Sequence, residues 1–186
     1  MIRINHEFLT YIETLFLEGN TTIEKLEAPA HSIILEQQKI VHAVYAIQKG
    51  LSKCYQTEDT GTDFVQEFFG PGELFGEIEM FNNDISFCTI ETITAVTYYK
   101  IPKDLFNKLT LQNKEFNSFV INSLANKIKY TALRHSYNQT HPIEQKVMRL
   151  KDQFPELFDF ISKKDIANYL GITIRSLNRC LSQMNI

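Results

Sequence analysis

The sequence has 186 residues and a formal net charge of −3 at pH 7, with 44% hydrophobic and 22% charged residues. This composition is that of a globular protein with enough apolar residues for a core, in one large domain or two small ones. No apolar run approaches the ~20 residues of a membrane span, and the first residues are too acidic and too interrupted for a signal peptide. We therefore expect a cytoplasmic protein that has no membrane partner.

The cysteines and histidines do not form a recognisable ligand pattern. The three cysteines, Cys54, Cys88 and Cys180, are odd in number and far apart in the sequence. This spacing fits neither a disulfide framework nor a zinc site, and it agrees with a reducing cytoplasm. Three scattered cysteines are more often core residues than ligands. The five histidines show no ligand spacing either, so the sequence predicts no metal site.

The first hundred residues predict one helix followed by short strands. Residues 5–19 place their apolar side chains on one face of a helix that ends at Gly19. From about residue 22 to residue 101, β-branched and aromatic segments alternate with turn residues. We expect a tight turn or bulge at Lys49-Gly50, a hairpin turn at residues 59–61, a short helix or loop at 73–81 and a strand over 89–101. About eight short strands are typical of a barrel-like or jelly-roll sheet.

Helices are predicted for the middle of the chain. Pro102 favours the first position of a short helix, and a long helix without Gly or Pro runs from Asn113 to about residue 138. Its apolar stripe packs on the sheet or forms a subunit interface built like a short coiled coil, and we favour the interface. The interface hypothesis names Phe116, Val120, Leu124, Ile128 and Thr131.

The stretch from Ser162 to Met184 has the pattern of a DNA-binding helix-turn-helix. Ser162 and Thr173 are at positions that cap two helices, and Gly171 follows the first helix where the backbone needs a left-handed residue. The second helix has a polar, arginine-bearing outer face. Residues 141–186 carry a net charge of +2, whereas residues 1–140 carry −5. The alternative interpretation is an ordinary helical hairpin in a bundle.

Three segments resemble the superfamily of the cyclic AMP receptor protein and the fumarate–nitrate reduction regulator, the Crp/Fnr superfamily. They are IQKG-LSKCY at residues 47–55, FFGPGELFGEIEMF at 68–81 and KKDIANYLGIT-RSLNR, which runs from Lys163 to Arg179. The resemblance implies an α+β fold and a homodimeric bacterial transcription regulator. It implies a β-roll (jelly-roll) sensor domain over 1–112, a dimerisation helix over 113–139 and a helix-turn-helix domain of the winged-helix type over 140–186. The family's two-stranded wing is missing, truncated or beyond residue 186.

The resemblance also implies an effector pocket. Its residues here are Phe75, Gly76, Glu77, Ile78, Ser86, Phe87 and Cys88. Cyclic-nucleotide-binding members hold the phosphate with an arginine in a bidentate pair and the ribose with a glutamate. Glu77 matches the glutamate, but Ser86 occupies the arginine position and Phe87 is expected in ligand space. Because a buried phosphate without its counter-charge is costly, we expect no tight cyclic AMP binding, no bound cofactor and an unknown small-molecule effector.

Other sensor and enzyme classes have little support. The first 53 residues contain no cysteine, so an N-terminal iron–sulfur cluster is not predicted. A cluster that joins two chains through Cys54 or Cys88 remains an alternative. Glu77 and Glu79 are two residues apart, but we interpret Glu77 as structural or ligand-binding and Glu79 as a surface residue. No nucleophile–base pair is recognisable, so no enzyme activity is predicted.

The family's base-contacting positions fall on Ile174, Arg175 and Arg179, and Arg179 keeps a basic residue that can pair with guanine. Thr173, Ser176, Lys163 and Lys164 are expected to contact DNA phosphates. The predicted partners are a palindromic operator and a second copy of the chain. RNA polymerase is a further candidate partner. The predicted function is a DNA-binding regulator with an effector other than cyclic AMP. The alternatives are a cyclic-nucleotide-responsive regulator with a divergent pocket, or a ligand-binding or interaction module that no longer binds DNA.

Overall fold

The computed structural model describes residues 2–19, 22–155 and 157–184. Within these ranges the chain forms nine strands and eight helices. The strands are β1 (Ile2–Arg3), β2 (Glu24–Ala28), β3 (Ile33–Leu35), β4 (Ala43–Lys49), β5 (Ser52–Thr57), β6 (Asp63–Phe69), β7 (Leu74–Phe75), β8 (Thr89–Thr92) and β9 (Val96–Pro102). The helices are α1 (His6–Leu17), α2 (Glu77–Asn82), α3 (Lys103–Gln112), α4 (Lys114–Thr140), α5 (Ile143–Gln153), α6 (Leu157–Phe160), α7 (Lys163–Leu170) and α8 (Ile174–Gln183).

The strands form a two-sheet roll, so the predicted α+β fold with an N-terminal jelly roll is confirmed. One sheet has the order β1-β6-β5-β8-β3 and the other has the order β2-β9-β4-β7. Apolar side chains of both sheets pack together with Phe8 and Ile12 of α1, Phe106 of α3 and the first turns of α4. The hairpin predicted at residues 59–61 joins the antiparallel strands β5 and β6.

The segment 89–101 is two strands rather than the single strand that its composition predicts. It bends after β8, and β9 lies in the other sheet. The β4–β5 connection crosses between the sheets at the same place, since Gly50 has φ +93° and a Cβ there would lie 2.3 Å from the Ala95 carbonyl oxygen. The backbone N–H of Leu51 donates to Thr94 Oγ1 at 2.9 Å. The two crossovers therefore fit together only because residue 50 has no side chain.

Two short strands were not predicted. Ile2 and Arg3 of β1 pair in parallel with Phe68 and Phe69 of β6. The segment 73–81 divides into β7, which pairs with β4, and the helix α2. Strands of two residues are too short to show an alternating pattern, so only the pairing with distant strands defines them.

The helix boundaries follow local capping signals. Asn5 Oδ1 accepts a hydrogen bond from Phe8 N at 3.0 Å at the start of α1, and Asn113 Oδ1 accepts one from Phe116 N at 2.9 Å at the start of α4. Pro102 caps α3 instead of occupying its first position, and α4 ends two residues later than predicted. Such one- or two-residue differences are usual at helix ends.

The C-terminal helices pack on the outer face of the roll. Val65 and Phe68 of β6 belong to the same apolar cluster as Ile166 and Leu170 of α7, and the rings of Phe68 and Tyr169 are 5.2 Å apart. The side chain of Arg134 in α4 donates to the Gln66 carbonyl and lies over the Tyr169 ring. The helix-turn-helix is therefore held against one sheet of the roll.

Candidate DNA-binding helices and effector cavity

Helices α7 and α8 have the caps that the sequence predicts. Ser162 Oγ accepts from Asp165 N at 3.0 Å, and Thr173 Oγ1 accepts from Ser176 N at 3.1 Å. Gly171 leaves α7 with φ +66°, a left-handed conformation that glycine adopts without steric cost. Each signal involves residues at most three positions apart. Local sequence is therefore sufficient to define this helix-turn-helix.

The two faces of α8 differ in character. Leu177, Cys180 and Leu181 are buried, whereas Arg175 and Arg179 are exposed. Ile174 is 44% exposed at the edge of this polar face. Asn178 is exposed as well, and it lies within one helical turn of both arginines. The structure therefore places all three predicted base-contacting residues on the accessible side, and Asn178 joins them there although the family pattern did not select it.

The residues predicted to contact DNA phosphates lie in two environments. One of them faces solvent, and the others lie next to the roll. Lys163 is exposed, but Lys164 Nζ lies 3.6 Å from Asp63 at the start of β6. Thr173 and Ser176 line a cleft with Glu58 and Asp63 of the β5–β6 hairpin. Carboxylates thus stand beside the start of α8, where a DNA phosphate is expected to bind.

An ion pair joins α7, the first helix of the helix-turn-helix, to the roll. Lys53 Nζ of β5 lies 2.9 Å from Asp165 Oδ1 of α7 and 3.5 Å from Glu91 of β8. The side chains of Lys53 and Asp165 are each 15% exposed. Nothing in the local sequence indicates this contact, because its two partners are 112 positions apart in the chain.

A cavity of about 240 Å³ lies inside the roll at the predicted effector site. Six predicted residues line it: Phe75, Gly76, Glu77, Ile78, Phe87 and Cys88. Ser86 is not among the lining residues. It is 1% exposed and donates hydrogen bonds to the Cys88 carbonyl at 2.7 Å and to Glu79 Oε1 at 3.3 Å. Ser86 therefore occupies the position of the family's phosphate arginine, but its hydroxyl has a structural role. This corrects the prediction that Ser86 lines the pocket.

Two cations reach the cavity from outside the predicted pocket. Lys127 of α4 lies 2.5 Å from Glu77 Oε1 and 3.5 Å from Glu73, and Arg3 Nε lies 3.0 Å from Glu73. Burial lowers the pKa of Lys127, but the carboxylates of Glu77 and Glu73 outweigh burial and raise it. Burial also raises the pKa of Glu73, against the opposing effects of Lys127 and Arg3. Both cations are thus already neutralised by carboxylates of the protein.

Glu79, which the sequence analysis assigns to the surface, is 5% exposed and lines the cavity. Burial is the main cause that raises the pKa of its carboxyl. Helix α2 is too short to show which side of it faces the roll, and this explains the error. The cavity wall is therefore richer in carboxylates than the sequence predicts.

Cys54 and Cys88 are neighbours in the folded chain, which corrects their interpretation as scattered thiols. Cys54 Sγ donates to Cys88 Sγ at 3.0 Å, and both free thiols are buried in the cavity wall. The hydrogen bond with Cys88, followed by burial, raises the pKa of Cys54 well above its usual value. Cys180 lies in the other apolar cluster, among the C-terminal helices.

The residues predicted for the dimer interface have different roles. Phe116 and Val120 are fully buried in the core of their own roll, so they offer no surface to a partner. Thr131 is exposed but lines the effector cavity. Ile128 is 72% exposed and Ile121, which was not predicted, is 55% exposed. With Leu124, which is half-buried and packs against the core of the roll, they form an apolar strip, Ile121–Leu124–Ile128, along one side of α4.

Two features are absent from the described part of the chain, a metal-ion cluster and a membrane-spanning helix. Among the described side chains, no three His, Cys, Asp or Glu residues are grouped so as to hold a metal ion. None of the described helices combines the length and apolar character that crossing a bilayer requires.

The described part of the chain thus combines a roll that has an internal cavity, a long helix and a helix-turn-helix. Residues 25–113 match the cyclic nucleotide-binding domain. The anaerobic regulatory protein of Aggregatibacter actinomycetemcomitans is 24% identical over 153 residues, which cover 76% of this chain and 59% of that protein. The anaerobic regulatory protein of Pasteurella multocida is 23% identical over 193 aligned residues, which cover 97% of this chain and 68% of that protein.

Solved structures agree with these relatives in fold. The c-di-GMP responsive global regulator CLP of Xanthomonas campestris superposes with a TM-score of 0.80 at 15% identity, over 95% of this chain and 91% of that one. Residues 25–113 are thus similar to a cyclic nucleotide-binding domain, and these likenesses agree with the resemblance to Crp/Fnr regulators that the sequence motifs carry.

Proposed function

We propose that this chain is a homodimeric, sequence-specific DNA-binding transcription regulator of the Crp/Fnr type, acting in the cytoplasm with an effector other than cyclic AMP. The observation that carries the proposal is the accessible face of α8, where Arg175 and Arg179 project from a helix whose other face is buried. The relatives support it, since they are named as regulatory proteins. A helix-turn-helix of this kind places its second helix in the major groove.

Each residue of that face has a role in the proposal. Arg179 donates two hydrogen bonds to O6 and N7 of a guanine, and the amide of Asn178 pairs with an adenine. Ile174 and Arg175 contact neighbouring base pairs. Thr173, Ser176 and Lys163 bind phosphates, and Lys164 joins them when it leaves Asp63. These contacts require the start of α8 to move away from Glu58 and Asp63, with which Thr173 and Ser176 share a cleft in the present structure.

The dimer of this proposal forms through α4. The exposed strip Ile121–Leu124–Ile128 has the three- and four-residue spacing of a coiled-coil seam. A second copy that packs against this strip removes apolar surface from water without disturbing Phe116 or Val120, which stay in the core of the roll. Such a two-fold dimer presents two copies of α8 to half-sites about 34 Å apart. RNA polymerase is a candidate partner of the DNA-bound dimer.

The effector of this proposal differs from cyclic AMP, because none of the described residues that line the cavity offers a free cation to a phosphate. Arg3 and Lys127 are paired with Glu73 and Glu77, and Ser86 replaces the family's arginine. A bound phosphate would compete with these carboxylates inside a low-dielectric cavity, where unpaired charge is costly. We therefore expect calorimetric titration with cyclic AMP to give no micromolar binding. A micromolar dissociation constant would favour the alternative, a cyclic-nucleotide-responsive regulator with a divergent pocket.

DNA recognition is tested by selecting bound sequences from a random DNA pool. Binding of the selected operator is then measured by fluorescence anisotropy over a range of salt concentrations. Arg179→Ala should lose roughly 1–3 kcal/mol of discrimination at one base pair. Lys108→Ala is the matched control, because it removes one exposed positive charge from α3, outside the DNA-binding helices.

The control should keep both the affinity and the base preference of the wild type. Unchanged base preference in Arg179→Ala would mean that α8 does not contact that base. A pool from which no sequence is enriched would favour the third hypothesis, an interaction module without DNA binding.

A further inference from the structure

Cys54 and Cys88 have the geometry of a dithiol that can close. Their sulfur atoms are 3.0 Å apart, and a disulfide requires about 2.05 Å, so closure needs an approach of roughly 1 Å. Cys54 lies in β5 and Cys88 directly precedes β8, its antiparallel neighbour. The closure therefore joins two segments that are already side by side and does not require a new strand arrangement.

The two thiols are also accessible to a small oxidant. Both line the cavity of about 240 Å³, whereas one water molecule takes up about 30 Å³ of the liquid. Phe87, which is 45% exposed, lies in the cavity wall next to Cys88 and connects the wall with the surface. A molecule of the size of hydrogen peroxide fits this space, although the thiols themselves are buried.

We propose that Cys54 and Cys88 are a redox-active pair that a peroxide converts into an intramolecular disulfide in the wall of the effector cavity. One sulfur attacks a peroxide oxygen, the O–O bond breaks, and a sulfenic acid and one water form. The second sulfur attacks the sulfenic sulfur, the S–O bond breaks, and the hydroxide released takes the remaining thiol proton to give a second water. The two sulfurs lose two electrons in total, and the two peroxide oxygens gain them.

The position of the pair connects it with the DNA-binding helices, a link that rests on the proposed function. Successive residues of a strand point to opposite faces, so Cys54 faces the cavity while Lys53 faces outward. There Lys53 pairs with Asp165 of α7 and with Glu91 of β8. A disulfide between β5 and the start of β8 stiffens the two strands that hold this ion pair. The oxidised chain therefore keeps α7 and α8 docked on the roll, and it binds DNA more weakly than the reduced chain.

Peptide mapping of the wild-type protein tests the disulfide without any variant. Trypsin cleaves after Lys53 and next after Lys100, so one peptide contains both Cys54 and Cys88, and Cys180 falls in another peptide. After treatment with hydrogen peroxide and alkylation, peptide 54–100 should lack two hydrogen atoms and carry no alkyl group, while Cys180 stays alkylated. A doubly alkylated peptide 54–100, or sulfinic acids in place of the disulfide, would overturn the proposal.

Operator binding tests the regulatory part. The oxidised wild type should bind about tenfold more weakly than the reduced wild type, and Cys54→Ala and Cys88→Ala should show no redox difference. Cys180→Ala is the control, because it keeps both Cys54 and Cys88. It should show the same difference in operator affinity between the oxidised and reduced forms as the wild type. Equal affinities of the oxidised and reduced wild type would reject the regulatory role. Absence of DNA binding in both forms would reject the regulatory role together with the proposed function, while the peptide map still decides the chemistry.

Discussion

Lys127 is the side chain that joins the long helix to the effector cavity. Its ammonium group contacts the Leu74 carbonyl and the carboxylates of Glu77 and Glu73. Glu77 is 1% exposed, and its Oε2 atom has no hydrogen-bond partner among the described residues. Without Lys127, the carboxylate of Glu77 would be buried and poorly compensated.

We expect Lys127→Met to lower the free energy of unfolding by roughly 3 kcal/mol, because removing one partner of a buried ion pair leaves the other charge unpaired. Chemical denaturation monitored by circular dichroism measures this. Lys129→Met is the matched control on the same helix, with an exposed side chain and an expected change within about 0.5 kcal/mol.

The double variant Glu77→Gln with Lys127→Met should recover part of the lost stability, since the uncompensated carboxylate is then absent. Equal stability of Lys127→Met and the wild type would show that the ion pair contributes nothing beyond the cost of its burial.

At the scale of elements, α4 serves two purposes on two faces. Phe116 and Val120 face the core of the roll, where the Phe8 and Phe116 rings are 6.1 Å apart. Ile121 and Ile128 at the two ends of the strip Ile121–Leu124–Ile128 are exposed, and exposed apolar surface of this kind is typical of a subunit contact. The sequence pattern merged both faces into one stripe, since the buried and the outward positions are close together in helical spacing.

Ile128→Glu should convert the proposed dimer into a monomer, because it places two like charges opposite each other in an apolar seam. Sedimentation velocity measures the change. Asn122→Glu is the control, because it adds the same charge at an exposed position on another side of the helix. A dimer that persists in Ile128→Glu would place the subunit contact elsewhere, and a monomeric wild type would reject the dimer.

The strands show a similar limit of sequence patterns. The segment 89–101 is β-branched and aromatic throughout, yet β8 and β9 belong to different sheets. The division depends on the close approach of two crossovers that are far apart in the sequence. One crossover contains Gly50 and the other contains Ala95. Composition identifies strands, but long-range packing decides which sheet each one enters.

At the scale of the whole molecule, the docked helix-turn-helix is the feature with the clearest functional consequence. Lys53–Asp165 and Lys164–Asp63 connect α7 to the roll, and Glu58 lies beside the start of α8. In this arrangement acidic residues occupy the approach of the DNA backbone. In the proposed function, DNA binding competes with docking, so any change that weakens the contacts between the roll and α7 should favour the DNA-bound form.

Lys53→Met should increase the rate of amide hydrogen exchange in α7 and raise operator affinity several-fold, because the docked arrangement loses an ion pair whose partners are largely shielded from water. Exchange monitored by mass spectrometry and the anisotropy assay measure the two effects. Lys49→Met, at the exposed end of β4, is the control. Unchanged exchange in α7 would mean that apolar contacts with β6 alone hold the domain.

The sequence by itself determined the succession of a helix, a strand-rich region and C-terminal helices, the capped helix-turn-helix and the absence of the family's phosphate arginine. These features are local, since Ser162, Gly171 and Thr173 act within one turn of their helices. It also predicted the place of the effector cavity, through the motif that contains Gly76 and Glu77.

Only the tertiary structure decided which residues line that cavity and which residues meet around it. Arg3 and Lys127, 124 positions apart, meet the same carboxylate of Glu73, and Cys54 and Cys88, 34 positions apart, become neighbours. The docking of α7 on β6 is equally long-range. The physical reason is the same in each case. Local propensity and hydrophobic periodicity specify an element and its buried face, whereas the partners across that face depend on how distant elements pack.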